Sequence, residues 1–423
     1  MLTASRISWN DSIDIDREQE GTIMAKLLTL DDLDLANLKG KRVFVRVDFN
    51  VPLSAAQEVG DTTRLEEAIP TIRELTGAGG VLLLASHLGR PKGKPDPRYS
   101  LRPVAARLAE LLGQPVRFAE DCVGDEVETV VRTMKTGEVV LLENLRFHAE
   151  EEKNEPAFAD RLAALAEVYV DDAFGAAHRA HASVVGVPER LQTKVAGRLL
   201  EREVTALGRL LGEPERPFVA LLGGAKIEGK IDTLENLLPR LNVLLLGGGM
   251  ANTFLAAEGF DVGASLFEPD RVELARQILE RAKSRGIEVI LPSDLVVTDD
   301  LDNPQRIETV PAHAIPAGTK AVDVGPETRQ AFATAIGRAR TLFWNGPLGV
   351  FEKPPFDAGT RAVAEALASC PGFSVIGGGE TVAAVHQAGV AGRIGHVSTG
   401  GGASLELLAG KVLPGVAVLE RNP

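Results

Sequence analysis

Short apolar runs in this chain are followed, one after another, by residues that bind anions. In the N-terminal half Asp48-Phe49-Asn50 follows one run, His87-Leu88-Gly89-Arg90 a second and Asn144-Leu145-Arg146-Phe147-His148 a third, while Asp172-Ala173-Phe174-Gly175 leads from a fourth to His178-Arg179-Ala180-His181. Four of the seven histidines fall in these segments, and Arg64, at the start of the first long helical stretch, can join them. Guanidinium groups offer planar forks to phosphate and carboxylate, so together these residues make a local cationic site for a small anion. Any one of them alone is better read as a surface ion pair or a satisfied loop histidine. Four loops at one sheet edge favour a site, because scattered surface charge has no reason to follow every strand.

The C-terminal half puts glycines in the corresponding places. Gly223-Gly224, Gly247-Gly248-Gly249, Gly377-Gly378-Gly379 and Gly400-Gly401-Gly402 each come after an apolar run and are expected to open a helix. Glycine lets a backbone approach a phosphate, and a helix N-terminus presents free N–H groups, so four such runs point to a polyphosphate site. Lys226 and Lys230, four apart, are expected on one helical face, where they could grip phosphates. The stretch Gly224 to Lys230 matches a P-loop as far as its lysine, but Ile231 stands where a magnesium-binding Ser or Thr belongs, which excludes a P-loop NTPase. No G-x-G-x-x-G follows a strand, which argues against a dinucleotide-dependent oxidoreductase.

The elements that must hold these residues alternate as βα units. Strands are expected near 42–48, 80–86, 139–143 and 168–171, with helices near 64–77, 102–112 and 156–166. The second half reads as strands near 218–222, 243–246, 288–291, 320–324, 342–344 and 374–376. The fold class expected is α/β, with two doubly wound Rossmann-like domains on parallel central sheets joined by a helical hinge at Gly197 to Leu211. In such sheets ligands bind beyond the carboxyl ends of the strands, where the unusual residues lie.

A length of 423 residues suits two domains, and 44% hydrophobic with 25% charged residues is ordinary globular composition. The net charge of -13 disfavours nucleic acid as a partner, and no apolar run approaches the roughly 20 residues of a membrane span. Cys122 and Cys370 cannot make a disulfide framework; both read as buried filler in a reducing compartment. Residues 1–23, acidic and without an apolar core, read as a disordered extension before Met24 rather than a targeting signal.

The chain resembles the phosphoglycerate kinases. The resemblance rests on Arg46-Val47-Asp48-Phe49-Asn50-Val51-Pro52, Ser86-His87-Leu88-Gly89-Arg90-Pro91, Glu143-Asn144-Leu145-Arg146-Phe147, Asp172-Ala173-Phe174-Gly175 with His178-Arg179-Ala180-His181, Gly223-Gly224-Ala225-Lys226, Trp344-Asn345-Gly346-Pro347 and the two late glycine triplets. These come in the family's order from about Lys26 to the C-terminus. The resemblance implies reversible transfer of the acyl phosphate of 1,3-bisphosphoglycerate to MgADP, giving 3-phosphoglycerate and MgATP, in glycolysis and gluconeogenesis. It implies a monomeric, cytoplasmic enzyme with Mg²⁺ carried by ADP or ATP and no nucleic acid or membrane partner. It places the glycerate substrate on a domain of residues 24–197, on Asp48, Phe49, Asn50, Arg64, His87, Leu88, Gly89, Arg90, Arg146 and Arg179. It places the nucleotide on residues 198–405, on Lys226, Lys230, Asn345, Glu352, Gly378, Gly379, Glu380 and Thr381, with Glu352 at the ribose and residues 406–423 returning to the first domain.

Arg64, Lys226 and the amides around Gly378, Gly379, Gly401 and Gly402 are then expected to meet the charge on the transferring group, Gly378 and Gly401 among them as catalytic positions. Because the ligands sit on separate domains, closure about Gly197 to Leu211 and Ser398 to Leu405 is expected before in-line transfer. Three departures stand out from the family's pattern: Glu380 in place of an aspartate beside the metal, Asp171 in place of an asparagine, and Glu228-Gly229 between the lysines. With Glu380, contact to magnesium is either direct or through water. Two rivals from other classes are a nucleotide-binding scaffold without turnover, against which the intact Arg64, Lys226 and Gly400 to Gly402 argue, and a dehydrogenase on a similar sheet.

Overall fold

Strand β1 (Arg42–Val47) shows how the first half is built. Val43, Val45 and Val47 point to one face of the sheet and Phe44 to the other, all fully buried. Strands apolar on both faces belong in a parallel sheet covered by helices on each side. That sheet is β3 (Val116–Phe118), β4 (Val139–Leu141), β2 (Val81–Ala85), β1, β5 (Val168–Asp172) and β6 (Thr193–Ala196), in that spatial order and wholly parallel. One face packs on the helices Thr63–Gly77 and Arg102–Leu112, the other on Pro156–Ala163 and Arg198–Leu211. The computed structural model describes residues 27–421, so the acidic extension expected at 1–23 lies outside the described residues.

The second half repeats the plan. Its sheet runs β15 (His396–Val397), β14 (Phe373–Gly377), β13 (Thr341–Asn345), β7 (Phe218–Leu222), β8 (Val243–Leu246) and β9 (Glu288–Ile290), again wholly parallel. In each sheet the chain fills one side first, with β4 inserted between β2 and β3 in the first sheet, and then crosses to the other. The crevice this leaves opens between β1 and β5 in the first sheet and between β7 and β13 in the second.

A third sheet departs from expectation. The segment Lys320–Val324 is a strand, β12, but it pairs antiparallel with β10 (Asp294–Thr298), which also pairs antiparallel with β11 (Ile307–Pro311). Residues 299–306 turn the β10–β11 hairpin: Asp299 Oδ1 accepts from the main-chain nitrogens of Asp300, Gln305 and Arg306 at 3.0 to 3.1 Å. Strands β3, β6, β10, β11 and β15 were not expected either. All but β10 lie at sheet edges, with polar residues such as Arg117, Thr193 and Lys194 that blur the apolar run; β10 is central and carries only Leu295-Val296-Val297 between polar ends. The helix expected to reach Ala166 ends at Ala163.

The Arg198–Leu211 helix joins the halves through its apolar face. Leu200, Val204, Leu207 and Leu210 lie in one continuous core with Phe174 and Ala177 of the first half and Leu234, Leu237 and Leu407 of the second. Its N-terminus is capped from the first sheet: Asp172 Oδ1 accepts from Leu199 N at 2.8 Å and Leu200 N at 3.4 Å. Position 197 has to be glycine for this, since a Cβ there would collide with that carboxylate. After the last helix of the second half, the chain returns to the first: Gly415 N donates to Ala177 O at 2.9 Å, Leu28 N to Leu419 O at 3.0 Å, and Arg421 pairs with Asp32.

Candidate active site

Beyond the carboxyl end of β1, a buried chain of polar groups fixes the floor of the first crevice. Arg46 is fully buried; its Nε donates to Ser183 Oγ at 2.8 Å and its Nη2 lies 3.2 Å from His87 Nδ1. Ser183 in turn donates through Oγ at 2.6 Å and through its main-chain N at 3.0 Å to Glu151, also fully buried. Burial pushes the Glu151 carboxyl up, and the Arg46 charge and Ser183 bonds pull it back. His87 is held well below its ordinary range, first by burial and then by the surrounding guanidinium charges against the pull of Asp48. A neutral His87 accepts from Arg46 at Nδ1, which leaves its Nε2–H as a donor.

Asp48 sits at the centre of this half. Its carboxylate pairs with Arg64, which the Thr63–Gly77 helix brings in at its first turn. Burial raises the Asp48 pKa, but the guanidinium charges of Arg64 and Arg46 and the Asn50 amide bring it below the usual value, so it is ionised. Asn50 Oδ1 accepts from Gly89 N at 2.9 Å, and Arg146 Nη1 donates to Gly89 O at 2.9 Å, so three of the four loops are tied at one glycine. Asn144 adds a second knot, accepting from Leu88 N at 3.2 Å and donating to Leu88 O at 2.7 Å. Arg90 and Arg179 are exposed and among the described residues enter no ion pair. His181 is pushed down to about 4 by burial and by Arg146, Arg46 and Arg179. Asp48, Asn50, Arg64, His87, Gly89 and Arg146 thus converge, whereas the side chains of Phe49 and Leu88 lie in the core, so only their main chain borders the crevice.

In the second half the glycine runs divide. Three of them lead directly into helices, Gly248–Ala257, Gly379–Gln387 and Gly402–Leu408. The fourth does not: after Gly223-Gly224 the chain makes turns, with Gly229 at φ 81°, and the helix begins only at Ile231. The expectation that Lys226 and Lys230 share a helical face is therefore corrected. Lys226 is exposed, whereas Lys230 folds back so that its Nζ donates to Gly223 O at 2.7 Å, its pKa lowered by burial against the pull of Glu380 and Glu268.

Asn345 and Thr381 are spent on structure. Asn345 Nδ2 donates to Gly377 O at 2.8 Å and Thr381 Oγ1 accepts from Gly346 N at 2.6 Å, which fastens the loops after β13 and β14 together. Gly379 and Gly401 face open space, with Gly401 at φ 53°. A cavity of about 260 Å³ opens beside these loops, lined by Gly224, Gly248, Gly249, Leu348, Glu352 and Glu380 among others. Its far wall, Leu295 and Lys320 to Asp323, comes from the antiparallel sheet that the sequence did not announce. Asp323 is pushed up to about 7 by burial and accepts from Gly359 N at 2.7 Å and Val324 N at 2.8 Å. Asn252, buried under the cavity, was also missed.

The loops after β5 and β15 meet between the two halves. A Cβ at Gly175 would lie 2.5 Å from Asp48 Oδ2 and 3.7 Å from Thr399 O, and one at Gly402 would lie 3.9 Å from His178 Nε2. Gly400 packs directly on the Phe174 ring. Across the cleft, His386 of the Gly379–Gln387 helix lies near enough to Asp61 to add to the lowering of its pKa, which comes mainly from the Thr63 hydroxyl and amide. The anion-binding loops of the first half and glycine loops of the second thus border one cleft, an arrangement that suits transfer between two anions.

Comparison with known proteins gives this geometry a family. The family model for phosphoglycerate kinase matches residues 30–411. The chain is 56% identical over 394 residues to a phosphoglycerate kinase of Desulforudis audaxviator, covering 93% of this chain and 99% of the relative. It is 55% identical over 396 residues to one from Moorella thermoacetica, covering 94% and 99%. The solved phosphoglycerate kinase of Coxiella burnetii superposes with a TM-score of 0.84 at 38% identity, covering 93% of this chain and 98% of that one.

Proposed function

The chain belongs to the phosphoglycerate kinase family and is a phosphotransferase, and from that premise we propose that it moves the acyl phosphate of 1,3-bisphosphoglycerate to ADP in glycolysis and gluconeogenesis, with the residue roles that follow. The observation that carries the reading is the apposition of the cationic loops after β1 and β5 to the glycine loop after β15 of the second sheet, at Asp48, Gly175, Thr399, His178 and Gly402.

The glycerate substrate binds the first half. Arg90 and Arg179 are unpaired cations for its phosphate, Arg146 and the Gly89 amide hold the loop around it, and the His87 Nε2–H and Asp48 meet its polar end. Because Arg64 rests on Asp48, its guanidinium is kept at the mouth of the crevice, where it can turn to the transferring phosphoryl group. The nucleotide lies in the cavity between Gly248 and Leu348, with the ribose at Glu352 and the phosphates running toward Lys226 and the amides at Gly378, Gly379 and Gly401. Magnesium fits Glu380: it is an exposed carboxylate at the phosphate end of the cavity, and Mg²⁺ bound to nucleotide needs only one or two protein carboxylates. When bound, the ion neutralises phosphate charge. Asp323 is unsuited to that role, since its carboxylate already accepts two main-chain N–H groups.

Transfer is direct and in line, with the two halves closing to exclude water. Glu203 of the connecting helix is fully buried and accepts from His396 Nε2 at 2.8 Å and Thr399 N at 2.6 Å, which couples the helix to the segment leading into Gly400 to Gly402. The enzyme acts in the cytoplasm as a monomer, and no helix among the described residues is long and apolar enough to cross a membrane.

The test is a coupled assay for ATP formed from 1,3-bisphosphoglycerate and MgADP, run beside Glu352→Ala. ATP formation is expected, with nucleotide binding weakened in the variant and 3-phosphoglycerate binding kept. An absence of ATP would refute the activity, and an unchanged Kd for ADP would refute the nucleotide's placement.

A further inference from the structure

The loops after β3 and β4 meet at a place that phosphoryl transfer does not use. Asp121 and Cys122 lie between β3 and the Asp125–Arg132 helix, and His148 lies just beyond Arg146. His148 Nε2 is 2.6 Å from Asp121 Oδ1, and Cys122 N donates to the same oxygen at 2.6 Å. A carboxylate oxygen, the Cys122 sulfur and a His148 ring nitrogen all lie within 4.8 Å of one another. Among the described residues this is the one cluster in which three such ligand atoms converge.

We propose that Asp121, Cys122 and His148 form a binding site for a divalent cation of the zinc class, with water in the fourth position. Thiolate, imidazole and carboxylate are zinc's own ligand types, whereas magnesium and calcium take oxygen and would leave sulfur and nitrogen unused. In a zinc tetrahedron with bonds of about 2.0–2.3 Å, ligand atoms stand roughly 3.5 Å apart, so the set closes on an ion with a shift of about an ångström. The Cys122 proton leaves to solvent, and His148 binds as neutral imidazole through Nε2 with its proton on Nδ1; nothing is oxidised or reduced. Burial and the carboxylates of Asp121 and Glu151 push the Cys122 thiol well up, so its proton leaves only as the cation takes its place. The His148 ring stacks on Phe158 with centroids 5.2 Å apart, and Asp121 is half exposed, which gives the ion a way in. A bound ion would staple the Arg146 loop to the loop after β3, two segments now joined by the His148–Asp121 contact and a long Glu143 N to Asp121 O approach of 3.5 Å.

The experiment uses the tag-free full chain with Zn²⁺ and, as a spectroscopic probe, Co²⁺. One zinc per chain should survive desalting, and Co²⁺ should give a thiolate-to-cobalt charge-transfer band that Cys122→Ser abolishes. His148→Gln should weaken Zn²⁺ binding at least about tenfold, since losing even an outer-shell partner costs that much. If Cys122→Ser does not fold, the band in wild type and its fate in His148→Gln still decide. No retained zinc and no charge-transfer band in the wild-type chain, or equal metal binding by wild type and both variants, would overturn the proposal.

Discussion

Arg64 and Arg46 show two ways of keeping a guanidinium in place beside one carboxylate. Arg64 is about one-third exposed and held by Asp48 alone, so it is free to exchange that partner for a phosphoryl oxygen. Arg64→Ala should lower kcat by roughly 10³ or more, as arginine loss does at other phosphoryl-transfer sites, with MgADP affinity little changed; near-wild-type turnover in the coupled assay would remove Arg64 from the transfer step. Arg46 is buried and locked through Ser183 to Glu151. Glu151→Gln keeps the shape but removes the charge, and should cost about 1–3 kcal/mol in urea unfolding while raising KM for the glycerate substrate and not for MgADP. Equal changes in both KM values would mean that Glu151 supports the fold and not the crevice. His87, Arg146 and Arg179 were legible because they follow apolar runs, whereas Glu151 and Ser183 were not. Neither follows a strand, and only the folded chain brings them to Arg46, more than a hundred residues away.

At the scale of elements, the cap on the Arg198–Leu211 helix is also a pH-sensitive point. Asp172 is fully buried, and its pKa is pushed up to about 7 by burial, against hydrogen bonds from Thr71, Leu199 and Leu200. A carboxyl raised on folding binds its proton more tightly in the native state, so its contribution falls as pH rises from about 4 to about 7, by up to about 1.4 kcal/mol per pH unit. Asp172→Asn removes that titration. The stability of wild type relative to this variant should therefore be greater at pH 5 than at pH 8 in urea unfolding, and parallel profiles at the two pH values would show that Asp172 is already ionised in the fold. The central strands were readable because each is a buried apolar run, as in Val81–Ala85 and Val243–Leu246. Lys320–Val324 was readable as a strand but not as an antiparallel one, since its partner β10 is tied in turn to the polar edge strand β11 by a hairpin turned by aspartates, which makes a sheet separate from the parallel one. The glycine runs promised phosphate contact throughout, yet Gly223 and Gly400 are glycine because main chain or an aromatic ring packs against them.

For the molecule as a whole, the facing of the two halves was expected from the resemblance, which puts one ligand on each domain, and not from the order of the residues. It depends on the connecting helix sharing one core with both sheets and on residues 413–421 returning to the first half. The account stands on that facing, with one anion on each side. A crystal soaked with 3-phosphoglycerate and a MgATP analogue measures it directly. The glycerate phosphate should lie at Arg90, Arg146 and Arg179, the adenosine between Gly248 and Leu348 with its ribose at Glu352, and the γ-phosphate should point at the glycerate carboxylate. Both ligands in the same half, or a nucleotide whose phosphates run away from Gly378 and Gly401, would contradict the account.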